Sequence, residues 1–97
     1  MATYICLTNF TDQGIRNIQD TTKRAEAAAK AAKKHGVTMK EIYWTLGGYD
    51  MVVVFEAKDD ASMTAFGLSL GKAGNVRTQT LRAFSKDEMN AILAKVG

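Results

Sequence analysis

Two strand-forming runs, Val37–Leu46 and Met51–Ala57, are separated only by Gly47-Gly48-Tyr49-Asp50. A link that short cannot carry a crossover, so the runs must pair antiparallel as a hairpin. The second run, MVVVFEA, is the most β-prone stretch in the chain. A helical stretch lies on each side of the hairpin, TTKRAEAAAKAAKKHG before it and ASMTAFGLSLGKAG after it. Outside these lie two further alternating runs, Thr3–Phe10 and Val76–Phe84. A hairpin enclosed by two helices, themselves enclosed by two strands, leaves few ways to fold.

The element ends are marked by their own chemistry. Thr11 can cap a short helical turn with Ile15 and Ile18 on its apolar side. Asp20 or Thr21 opens the alanine-rich helix, in which Ala25, Ala28, Ala29 and Ala32 form a stripe at helical spacing, and Gly36 ends it. Asp59 or Asp60 caps the next helix, whose Met63, Phe66, Leu70 and Ala73 share one face, and Gly74-Asn75 stops it. Ser85 and Glu88 have the spacing of a capping box opening a last helix with Met89, Ile92, Leu93 and Val96 on a narrow apolar face. The order βαββαβ is the ferredoxin-like split arrangement of the α+β class. It predicts one domain spanning residues 1–97, a four-stranded antiparallel sheet with both main helices on one face, and an extra C-terminal helix.

Two helices cover only one face of such a sheet, so the other must meet water, a partner or a ligand. Period-two reading gives two sets of side chains. Ile5 and Leu7, with Ile42, Trp44 and Leu46 and with Met51, Val53 and Phe55, form the drier set, which is assigned to the helices, with Trp44 in the core. Tyr4, Cys6, Thr8 and Phe10, with Glu41, Tyr43 and Thr45, Val52, Val54 and Glu56, and Thr78, Thr80 and Arg82, form the mixed set, which is assigned to the uncovered face. That mixture suits a sheet that packs on a second copy and encloses a small cavity.

The net charge of +3 resides in residues 20–36, where Lys23, Arg24, Lys30, Lys33 and Lys34 outnumber Asp20 and Glu26. Cations late in a helix complement its dipole, and no aromatic residue interleaves them, so nucleic acid is not an expected partner. No apolar run is long enough to span a bilayer, and the first residues lack the pattern of a signal peptide. The single Cys6 sits in an apolar run and His35 beside a terminating glycine. Neither has a partner at metal-ligand or nucleophile–base spacing, so no metal or cofactor is expected, and a cytoplasmic location is. The candidate ligand-binding residues are Tyr4, Glu41, Tyr43 and Arg82 on the mixed face, with Tyr49 and Asp50 at the hairpin turn. For Asp50 the alternative is purely local, a carboxylate accepting backbone N–H groups beside glycines that supply the turn geometry.

The text YWTLGGYDMVVVFEA, with NFTDQGIRNIQDT near the start and GNVRTQTLRAF near the end, resembles the GYD family of small bacterial proteins. The resemblance implies the same ferredoxin-like fold, associating as a dimeric α/β barrel, and brings no activity with it. The resulting expectation is a small homo-oligomeric protein holding a small molecule in a cavity between the sheets of two subunits. The alternatives are a cofactor-independent enzyme acting on a small aromatic or oxygenated compound, and a regulatory domain contacting nucleic acid through the basic helix.

Overall fold

The hairpin forms as its short link requires, and the rest of the sheet assembles around it. In the computed structural model, which describes residues 1–97, the elements are β1 (Ala2–Phe10), a short α1 (Asp12–Arg16), a 3-10 turn (Ile18–Asp20), α2 (Thr21–Lys34), β2 (Val37–Trp44), β3 (Met51–Ala57), α3 (Asp60–Ala73), β4 (Val76–Ala83) and α4 (Lys86–Leu93). The strand order is β2-β3-β1-β4, and every neighbouring pair is antiparallel. This is the ferredoxin-like α+β arrangement expected from the element order. No helix is long and apolar enough to cross a membrane.

Helix ends follow local chemistry. Asp59 caps α3 by accepting from the Ser62 N–H, and that bond holds its carboxyl below the ordinary range. Ser85 and Glu88 exchange side-chain-to-backbone bonds at the start of α4. Gly74 ends α3 with φ of 90°, a left-handed conformation that favours glycine. His35 closes α2 as its C-terminal cap, with Nδ1 3.1 Å from the Ala31 carbonyl oxygen.

The core lies between the sheet and α2 and α3. Phe55 and Phe66 meet edge to face at 5.4 Å, and Met63, Val53, Val37 and Ala32 close around them. The burial of β3 alternates strictly, with Met51, Val53, Phe55 and Ala57 inside.

Register corrects the expected facing of two strands. Tyr4, Cys6 and Thr8 pair with Phe55, Val53 and Met51, and all are buried under the helices. Across β4, Arg82, Thr80 and Thr78 pair with the same three residues and so share their face. Ile5 and Leu7, opposite Val54 and Val52, therefore point away from the helices, with Leu81 and Gln79 beside them. Hydropathy misranks β1 because its outward pair is the more apolar one. β2 keeps Ile42 and Trp44 on the helix side, but only through a bulge at Lys40. Met39 pairs with Phe55 and Glu41 with Val54, so the parity of the strand changes between them. Trp44 is not core: it is 42% exposed, its indole N–H donating to Thr21 Oγ1 at 3.0 Å. Leu46 lies beyond the strand and is fully exposed.

Candidate functional site

Asp50 ties the hairpin loop to a distant strand. Its carboxylate accepts the Phe10 N–H at 2.9 Å, its own N–H donates to the Thr8 carbonyl, and its carbonyl accepts from Thr45. The loop after β2 is thereby tied to the end of β1. Gly47 takes φ of 119°, the positive value expected at this turn, whereas Gly48 has no positive φ.

The other five candidates separate onto two faces. Tyr4 and Arg82 lie on the helix side. The Tyr4 hydroxyl donates to Asp60 Oδ1 at 2.5 Å, and the Arg82 guanidinium sits 5.7 Å from the Tyr4 ring centre and 4.5 Å from that of Phe84. Arg82 also lies 3.5 Å from the Glu88 carboxylate, joining β4 to the start of α4. Burial first, and the bond to Asp60 second, push the Tyr4 phenol from 10.0 up to about 12. Asp60 was not singled out from the sequence. With Asp59 used as the cap, the second carboxylate of the pair is free to turn toward β1.

Glu41, Tyr43 and Tyr49 belong to the uncovered face. The Tyr43 hydroxyl donates to Glu41 Oε2 at 2.8 Å, which raises the pKa of the phenol. Tyr49 reaches to β4, where its hydroxyl donates to Gln79 Oε1 at 3.1 Å. Between these two polar pairs run Ile5, Leu7, Val52 and Val54, all half-buried although no element covers them. Leu81 extends the strip toward β4.

A second recess lies on the helix side, between α2, α3 and the sheet. It measures about 300 Å³ and is mainly apolar, with Ala28, Ala31, Met39, Leu70 and Phe66 among its walls. Its signal in the sequence is the small-residue side of α2, where Ala25, Ala28 and Ala31 occupy positions that larger side chains would fill.

A two-layer α+β chain, with helices on one sheet face and an apolar strip on the other, defines a small ferredoxin-like domain. The chain belongs to the GYD family, whose domain model matches residues 4–93. A Thermus thermophilus protein described as glutamine synthetase and cystathionine beta-lyase binding protein is 34% identical over 94 residues, spanning 96% of this chain and 99% of its own. The crystal structure of a protein from Thermus thermophilus matches 88% of this chain and 95% of its own, with a TM-score of 0.55 and 25% identity. A hypothetical protein from Pyrococcus horikoshii matches over 89% of this chain and 93% of its own, with a TM-score of 0.57. At 22% identity that second likeness speaks for the fold alone.

Proposed function

We propose that this is a small homo-oligomeric binding protein, in which the uncovered sheet faces of two copies pack together and the assembly engages a protein partner. The uncovered apolar strip carries the reading. Ile5, Leu7, Val52 and Val54 form a continuous apolar floor on the two central strands, and a face of that kind is stabilised by removal from water. Glu41, Tyr43, Tyr49 and Gln79 rim it with hydrogen-bonding groups, the anatomy of an interface with an apolar centre and polar edge. The description of the Thermus relative as a protein that binds two enzymes supports the protein partner. The same two polar pairs favour a small molecule enclosed between the paired sheets as a second reading.

Molar mass by light scattering at micromolar concentration tests the association. The native protein is expected at twice the chain mass or a higher multiple. Leu7→Arg places a charge at the centre of the strip and is expected to give a monomer with an unchanged circular dichroism spectrum. A native protein that stays monomeric throughout that range would overturn the proposal.

A further inference from the structure

The recess between α2, α3 and the sheet is separate from the association face, because its floor is the opposite side of the same strands. Three observations bear on what it holds. First, its size is about 300 Å³, roughly twice the ~150 Å³ that suffices for benzene in an engineered protein cavity. Second, its walls carry a single charged side chain. Arg24 is the only ionisable side chain on the helices to line it, and its guanidinium already donates to the carbonyls of Asn17 and Gly14, at 2.6 and 3.2 Å. Third, a hydroxyl on its floor is poorly satisfied. Thr8 is only 4% exposed, and its side-chain partner is the Cys6 thiol at 3.4 Å. Sulfur is a weak donor and a weak acceptor, so the hydroxyl retains bonding capacity on the pocket side. Thr78, its cross-strand neighbour on β4, lines the same pocket.

We propose that this pocket is a binding site for a mainly apolar, non-cationic molecule of about a dozen non-hydrogen atoms carrying one hydrogen-bonding group, which meets Thr8. Ala25, Ala28 and Ala31 keep the space open along α2, and Leu70 and Phe66 of α3 close its other side. A cationic ligand would lose its hydration and meet Arg24 instead of a counter-ion, so the pocket selects against positive charge.

Calorimetric titration with 2-naphthol, naphthalene and (2-naphthyl)methylammonium tests the site. Native protein is expected to bind 2-naphthol saturably, one per chain, with Kd on the order of 10–100 μM. Naphthalene should bind several-fold more weakly, and the ammonium at least tenfold more weakly. Ala28→Leu fills the space and should weaken 2-naphthol at least tenfold while the melting temperature holds or rises. Ala25→Leu serves the same purpose if that variant does not fold. Thr8→Val keeps the side-chain shape and should lower 2-naphthol to the affinity of naphthalene. Binding that persists in monomeric Leu7→Arg supports a site within one chain, whereas its loss there would assign the ligand to the space between subunits and overturn this proposal. Absence of saturable binding, equal affinity for the ammonium, or an unaffected Ala28→Leu would also overturn it.

Discussion

Asp50 illustrates how one residue can tie a loop to a distant strand. It joins the loop between β2 and β3 to β1, an element forty residues earlier, through the Phe10 N–H and the Thr8 carbonyl. Removing its side chain leaves the half-buried Phe10 N–H without an acceptor, so Asp50→Ala should destabilise the fold by about 1–3 kcal/mol. Asp50→Asn keeps an oxygen at the same place and should cost less. Urea unfolding of both variants checks the order. Tyr4 makes a different prediction. Its folded pKa of about 12 lies above the ordinary 10.0, so the native state holds the phenolic proton more tightly than the unfolded chain does. Below pH 10 both states are protonated and Tyr4 adds no pH dependence. Between pH 10 and 12 the unfolded chain loses the proton first, and stability falls as pH rises. Tyr4→Phe should remove that part of the slope, measured by denaturant midpoints across this window.

At the scale of elements, the short α1 is held down by α3's end rather than by its own length. Thr11 donates to the Gly74 carbonyl at 2.5 Å and through its backbone N–H to Asn75 at 3.0 Å, while Gln13 reaches Ala73 and Asn75. Gly14 is the contact point. A Cβ there would overlap the Asn75 carbonyl oxygen, which belongs to backbone and cannot swing aside. Alanine normally favours a helix over glycine by about 1 kcal/mol. Here the overlap would push α1 off Asn75 and strain the Thr11 bond, so Gly14→Ala should instead destabilise by about 1–3 kcal/mol. A lowered urea midpoint would show this, whereas a raised one would mean that α1 is not clasped. This contact joins Gly14 to Asn75, far away in sequence, so no local pattern announces it. The elements themselves were legible because caps and periodicity are local: Asp59, Gly74 and the Ser85–Glu88 box all act within a few residues. Facing was legible only where one side of a strand was clearly drier, as in β3. β1 carries Ile5 and Leu7 outside and Tyr4, Cys6 and Thr8 inside, so a hydropathy ranking inverts it. The Lys40 bulge changes the parity of β2 without any glycine to announce it. The candidate residues were therefore drawn from both faces, and only Tyr4–Arg82 and Glu41–Tyr43 emerged as neighbours.

At the scale of the whole molecule, the chain is elongated. The principal extents are 51 × 31 × 18 Å, and the radius of gyration is 14.5 Å, against about 13 Å for a compact domain of 100 residues. Only 12 of 97 residues are buried, so the core within one chain is small for the entropy that folding must overcome. α4 adds to the imbalance. None of its residues is buried, and Met89, Leu93 and Val96 are exposed together with Phe84 just before it. Under the proposed association a second copy covers both the sheet strip and α4, and folding then depends on how much protein is present. For two-state unfolding of a dimer into two unfolded chains, each tenfold rise in concentration adds about 1.4 kcal/mol per dimer. Spread over the unfolding entropy of two chains of this length, that raises the melting temperature by roughly 3 °C per tenfold. Scans from 1 to 100 μM should therefore show a rise of roughly 6 °C for the native protein. Leu7→Arg, confined to one chain, should melt lower and at a temperature independent of concentration. A native melting temperature that does not move over that range would mean that a single chain supplies its whole stability, and that the apolar strip serves some purpose other than holding two copies together.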